Sequence, residues 1–270
     1  MKQKDKVLFL ALKGIGDLLI ISNFIVQSKK KYNLDIVVVL SARLAKFKYL
    51  FPYDISFITV NERFESIYYI KSKFIYIFYI FKLRSLVKKY INEGYQFFIY
   101  DNYIKNILLF LGLNKTVIYG PYVYNNLENI FNLKITPKLK ITSNKYLIFP
   151  FGNDKKRQLN HDELMTIENH LKARNFDYKI LVHDSQKYLI KNYQRKKIIT
   201  YKKFTELDFL FKDYTECITV DSSFLHLAIL NNLRCIVISD SWDNYLHKDL
   251  LNSRMKISKK NIHNLDMLLI

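Results

Sequence analysis

The 270-residue chain is half hydrophobic, which excludes wholesale disorder and supplies enough apolar side chains for one large domain or two small ones. Its formal net charge of +19 points to anionic partners: phosphorylated small molecules, an anionic membrane surface or nucleic acid. Charge alone does not choose among them, because the cations are scattered and cluster only briefly, as at Lys29–Lys31 and Arg195–Lys197.

Read in chain order, short apolar runs alternate with helical stretches. Val7–Leu12 reads as a buried strand and Asp17–Lys31 as a helix, followed by strands at Ile36–Leu40 and Ile55–Val60. A long helical region covers about Glu62–Asn92. A strand follows at Phe97–Tyr100, then a helix near Ile104–Leu111 and a strand at Thr116–Tyr119. The stretch Gly120–Asn144 breaks the rhythm with two of the four prolines and reads as a crossover between domains. The rhythm then restarts, with strands at Tyr146–Phe149, Tyr178–Val182, Ile198–Tyr201, Cys217–Val220 and Cys235–Ile238. Helices are expected over Asn160–Arg174, through Leu207–Phe211 and over Ser222–Asn231. Continuous apolar strands between helices predict parallel sheets covered on both faces, hence two doubly wound α/β domains, 1–140 and 141–270. Cys217 and Cys235 fall in neighbouring strands and are expected as buried free thiols of a reducing compartment. The apolar stretch Val7–Leu12 is too short for a secretory leader. The longest apolar run, Phe74–Phe81, has eight residues, against roughly 20 needed to span a bilayer. A cytoplasmic protein, soluble or peripheral to a membrane, is expected.

Ligands of such sheets bind at the carboxyl ends of strands, which directs attention to Lys13–Asp17, Pro150–Arg157, His183–Gln186 and Asp221–His226; three of these segments carry chemistry. In the first, Lys13-Gly14-Ile15-Gly16-Asp17, the glycines permit a tight turn, and the following helix start favours an anion. A dinucleotide fingerprint is not met: Leu19 occupies the third glycine position, and the second strand ends at Leu40-Ser41 without an acid. Asp17 either caps the helix or faces the ligand as a general base. In the second, Pro150–Arg157, a loop leaves a strand carrying Lys155, Lys156 and Arg157, cations suited to a diphosphate leaving group. In the third, Asp221-Ser222-Ser223-Phe224-Leu225-His226, hydroxyl and backbone donors sit where a phosphate would bind, with His226 one turn into the helix. There is no Asp-x-Asp pair, no zinc-ligand spacing and no nucleophile elbow, so no metal is called for.

Taken in order, these segments resemble glycosyltransferase family 9, the ADP-heptose:lipopolysaccharide heptosyltransferases. The resemblance rests on Gly16-Asp17-Leu18-Leu19, on Tyr146–Phe151 with Gly152 and Lys155–Leu159, and most specifically on Asp221-Ser222-Ser223-Phe224-Leu225-His226-Leu227-Ala228. It departs from the family at Ser223, where a glycine is usual, at Leu159-Asn160, where the family has Trp-Pro, and at Ser239-Asp240, where a Phe-Gly-like turn is usual.

The resemblance implies a GT-B-like fold of two Rossmann-like domains with a central cleft: an N-terminal acceptor-binding domain and a C-terminal nucleotide-sugar-binding domain. It implies metal-independent, inverting sugar transfer, with Asp17 as base and Lys13, Gly14 and Gly16 in the phosphate or acceptor loop. Lys156 or Arg157 would hold the donor phosphates, together with Asp221, Ser222, Ser223 and a supporting His226. No cofactor is implied beyond a nucleotide-sugar co-substrate, ADP-linked in the family. The acceptor would be an anionic glycan or glycolipid, a lipopolysaccharide or lipooligosaccharide core or a related lipid-linked glycan, reached at the cytoplasmic face of the inner membrane. Nucleic acid is not an expected partner, since no recognised module appears. The competing reading is a catalytically inactive GT-B-fold binding or scaffold protein.

Overall fold

The computed structural model describes residues 5–12, 14–51, 54–60, 73–100, 112–114, 116–118, 132, 144–152, 155–190, 197–207, 209–240 and 254–269. They form two compact units, divided in the sequence at 135/136. The helix expected near Ile104–Leu111, most of the crossover Gly120–Asn144 and the first part of the helical region from Glu62 lie outside these residues.

Unit 1 contains β1 (Asp5–Ala11), α1 (Ile15–Lys31), β2 (Leu34–Ser41), β3 (Ser56–Val60), α2 (Lys73–Asn92), β4 (Gln96–Tyr100) and β5 (Thr116–Ile118). The strands form one parallel sheet in the order β3-β2-β1-β4-β5. Alternation along the strands sends Leu8, Leu10, Val37, Val39, Phe97 and Ile99 to the face that packs Leu83 and Val87 of α2. Helix α1 starts two residues earlier than the sequence pattern indicates, because the two glycine positions are absorbed into the helix entry.

Unit 2 contains β6 (Lys145–Phe149), α3 (His161–Ala173), β7 (Asp177–His183), β8 (Ile198–Tyr201), α4 (Leu210–Asp213), β9 (Glu216–Val220), α5 (Ser223–Leu230), β10 (Arg234–Ile238) and β11 (Arg254–Ile257). Its sheet is also wholly parallel, in the order β11-β10-β9-β6-β7-β8. One face buries Ile148, Ile180, Ile218 and Ile236 against Leu164, Ile167 and Leu171 of α3 and Ile262 and Leu265 of a closing 3-10 segment, Lys259–Met267. Strand β11 and this segment were not expected. The helix expected through Leu207–Phe211 is instead a 3-10 turn, Phe204–Leu207, followed by the single turn α4.

Three helices end alike. Gly94, Asn175 and Asn232 take left-handed backbone angles just past α2, α3 and α5. In each case the next residue's N–H reaches the carbonyl five residues back, closing a six-residue motif: Tyr95 to Tyr90 O, Phe176 to Leu171 O and Leu233 to Ala228 O. Glycine and asparagine tolerate that conformation best, so each helix stops there and the chain turns directly into β4, β7 or β10.

Candidate functional site

In each sheet the first strand has later strands on both sides, so the connections leave it in opposite directions and open a crevice at its carboxyl end. In unit 2 that switch point lies between β6 and β9. It brings together two segments that are distant in sequence, the loop after β6 and the turn after β9.

Their approach is close. A Cβ added at Gly152 would lie 3.3 Å from Ser222 Cβ and 3.9 Å from Val220 Cγ2. The Gly152 carbonyl accepts from two side-chain amides, Gln158 Nε2 at 2.7 Å and Gln186 Nε2 at 3.1 Å. The loop closes with Leu159 N–H on Pro150 O at 2.9 Å. Within it, Lys155–Arg157 form a 3-10 turn that leaves Lys155 and Lys156 exposed. Arg157 turns inward, and its Nη1 donates to Asp221 Oδ2 at 2.9 Å. The Arg157 side chain stays 41% exposed, whereas Asp221 is 17% exposed. The basic loop and the Asp-Ser-Ser turn are therefore joined by an ion pair at the mouth of the switch point.

The pair bears on which charges meet a ligand. An isolated Asp221 would repel a diphosphate. Held on the Arg157 fork, it orients the cation instead, and a guanidinium with five donors can serve a carboxylate and a phosphate together. Ser222 is the N-cap of α5, its Oγ accepting from Phe224 N–H at 3.3 Å. This uses acceptor capacity and not the hydroxyl proton. Ser223 opens the helix and is half-buried, as is His226. Beneath the turn, Phe224 stacks on Phe149 at 4.5 Å and meets Tyr201 and Phe204 edge-on at 5.5 and 5.4 Å. This buried aromatic floor fixes the start of α5.

Leu159-Asn160 also has a local explanation. Leu159 is buried, and Asn160 caps α3 in a reciprocal box with Glu163: Glu163 N–H to Asn160 Oδ1 at 2.9 Å, Asn160 N–H to Glu163 Oε2 at 2.7 Å.

In unit 1 the switch point lies between β1 and β4, and Gly14–Asp17 follow β1. Gly14 O accepts the first helical bond, from Leu18 N–H at 3.1 Å. Gly14 is thus the N-cap and Asp17 the third helical residue, so Asp17 does not hold the N-cap position. Lys13 and the Asp17 side chain lie outside the described residues.

Other clusters singled out in the sequence have local partners. Lys29 pairs with Asp54, Lys31 Nζ donates to Asn132 O at 2.6 Å, and Lys197 pairs with Asp177 at 3.1 Å while lying over the Tyr178 ring. Cys217 and Cys235 are buried free thiols, directly opposite one another on β9 and β10, and burial holds the Cys217 thiol well above its usual range. Among the described residues no group of three His, Cys, Asp or Glu side chains is placed to hold a metal ion, and no helix is long and apolar enough to cross a membrane.

Four residues that shape the site were given no role from sequence: Gln158, Gln186 and Asp240, which fall in segments the sequence points to, and Lys259, which does not. The two glutamines act through side-chain amides whose reach no periodicity encodes. Asp240 and Lys259 follow the last strand legible in the pattern; Asp240 stands where the family's usual turn is replaced by Ser239-Asp240, and Lys259 lies in no recognisable motif.

No family model matches the chain, and no curated protein sequence does. Solved structures match nearly its whole length. Glycosyltransferase family 9 from Veillonella parvula superposes with a TM-score of 0.61 at 11% identity, covering 96% of this chain and 88% of that one. Escherichia coli heptosyltransferase WaaC with ADP gives 0.60 at 11% identity, covering 94% and 90%. A Listeria monocytogenes protein assigned as a UDP-N-acetylglucosamine 2-epimerase gives 0.55 at 10% identity, covering 98% and 88%. The chain thus has the two-Rossmann-like, GT-B-like fold of glycosyltransferase family 9 structures, as the motif order implies. At these identities the likeness is one of fold, and the same fold also houses the epimerase.

Proposed function

We propose that this chain is a glycosyltransferase that moves a sugar from a nucleoside-diphosphate donor to an anionic bacterial surface glycan or glycolipid, with inversion and without a metal ion. The observation that carries the reading is the Arg157–Asp221 pair at the unit 2 switch point, where a cation and a helix start converge as a diphosphate requires. The heptosyltransferase likeness supports the sugar chemistry, and the structure of WaaC with ADP supports a nucleoside-diphosphate ligand.

On this reading unit 2 binds the donor. Arg157, with Lys156 beside it, meets the charge that develops on the diphosphate as its bond to the anomeric carbon breaks. The N–H groups at the start of α5 and the Ser222 and Ser223 hydroxyls add donors, and His226 supports the turn. Unit 1 supplies Asp17, which takes the proton of the acceptor hydroxyl as its oxygen attacks the anomeric carbon. The cations do the work a divalent ion does in metal-dependent transferases. The net charge of +19 favours an acceptor at an anionic leaflet.

A thermal-shift screen of the whole chain against ADP, GDP, UDP, CMP and their sugar conjugates tests the reading. A ligand that binds the folded state alone raises its melting temperature. One nucleotide class should stand out, and its sugar conjugate should be consumed only when an acceptor is present. Absence of any nucleotide-sugar binding refutes the transferase reading. Binding without transfer or hydrolysis identifies a non-catalytic binding protein, and conversion of the sugar without an acceptor identifies an epimerase.

A further inference from the structure

Lys259 lies outside every motif of the sequence, yet it grips the loop that carries Arg157. Its Nζ donates to Lys156 O at 3.2 Å and to Gln158 O at 2.5 Å, and lies 3.8 Å from Glu163 Oε2. The two carbonyls belong to the residues immediately before and after Arg157. One ammonium group therefore holds the backbone on either side of the arginine, and its side chain is only 17% exposed. The lysine is itself anchored, because its backbone N–H donates to Asp240 Oδ1 at 2.9 Å. Asp240 leaves the carboxyl end of β10, and Ser258, at the N-cap of the closing 3-10 segment, makes no side-chain cap of its own. The segment that closes unit 2 is thereby tied to the end of β10 through Asp240, and through the Lys259 ammonium to the turn after β6.

A half-buried ammonium on two carbonyls forms charge-assisted bonds, and its loss leaves those carbonyls without that partner. With the carbonyls turned toward Lys259, the turn sends Lys155 and Lys156 to solvent and delivers Arg157 to Asp221. We propose that Lys259 is a positioning residue that, anchored by Asp240, fixes the Lys155–Gln158 turn and so aims Arg157 at the phosphates of a nucleoside diphosphate. The proposal rests on the donor reading of unit 2, and its test separates the two.

The first arm needs no ligand. In Lys259→Met, hydrogen exchange in peptides covering 151–160 should quicken by about tenfold or more while β6 and β9 keep their protection. Asp240→Ala, which removes the anchor and leaves the ammonium, should quicken the same peptides by a smaller factor, about threefold, and serves if Lys259→Met does not fold. Unchanged exchange in the turn overturns the proposal. The second arm compares ADP with adenosine by calorimetry. Lys259→Met should weaken ADP by about tenfold and leave adenosine unchanged, and it should add nothing in an Arg157→Met background. Equal weakening of ADP and adenosine, or a full additional loss in that background, overturns a positioning role. If the wild-type chain binds no nucleoside diphosphate and no nucleotide sugar, the donor reading fails, and the exchange arm alone decides whether Lys259 sets the turn.

Discussion

The two units share a parallel, doubly wound topology but equip its switch points differently. In unit 1 the turn after β1 offers a glycine N-cap and a single acid on the first turn of α1. In unit 2 the turns after β6 and β9 are tied by an ion pair and a glycine–serine approach, while two glutamine amides on one carbonyl brace the turn after β6 and Lys259 holds it from behind. The difference matches the two tasks proposed. Deprotonating a hydroxyl needs one carboxylate within hydrogen-bond reach. Holding a diphosphate while charge builds on it needs cations and dipoles already in place, since reorganising them during reaction would raise the barrier.

The comparison breaks most sharply at Asp17. Asp17→Asn should lower turnover by about 10²–10⁴-fold and leave nucleoside-diphosphate affinity unchanged, measured by transfer assay and calorimetry. If the variant loses donor affinity as well, the division of labour between the units is wrong.

Gly152 probes the closeness of the unit 2 loops. Gly152→Ala places a methyl 3.3 Å from Ser222 Cβ. It should cost about 1 kcal/mol of stability, and Gly152→Val about 2–3 kcal/mol, with donor affinity falling alongside. Unfolding by urea measures the first effect and calorimetry the second.

The amino end of the same sheet behaves differently. Glu216 is buried at the start of β9, its carboxyl pushed up to about 7 by burial and only partly restrained by Arg234 at 3.9 Å. Between its usual value and about 7 the folded chain keeps a proton that the unfolded chain has released, so stability falls as pH rises through that window. Glu216→Gln should therefore stabilise the protein more at pH 8 than at pH 5, by about 2 kcal/mol. A pH-independent difference would contradict the shift. The smallest expected effect is at the α3 cap, where Asn160→Ala should cost about 1 kcal/mol in urea unfolding.

The sequence shows its strands well, because those of a sheet covered on both faces are apolar throughout. It shows helix ends less well: α1 starts two residues before the pattern indicates, and the left-handed stops at Gly94, Asn175 and Asn232 emerge only in the structure. Strand β11 is missed since Arg254–Ile257 carries two cations in four residues, and only its pairing beside β10 makes it a strand. Arg157 and Asp221 are both visible as candidates, but the bond between them spans 64 residues and exists only through strand order. The question of which cation serves the donor gains a structural distinction there: Arg157 is pinned to the turn after β9 while Lys156 is exposed. Lys259 and the role of Asp240 were illegible because both depend on bonds to backbone groups brought together only by the fold.

The most direct test of the account is a calorimetric titration of the wild-type chain and Arg157→Met with ADP, GDP and UDP. One nucleotide should bind the wild type at a single site and bind Arg157→Met at least about tenfold more weakly, with the melting temperature of the free protein little changed. Equal affinity in the two proteins, or no nucleotide bound by the wild type, would contradict the assignment of the unit 2 switch point as a donor site.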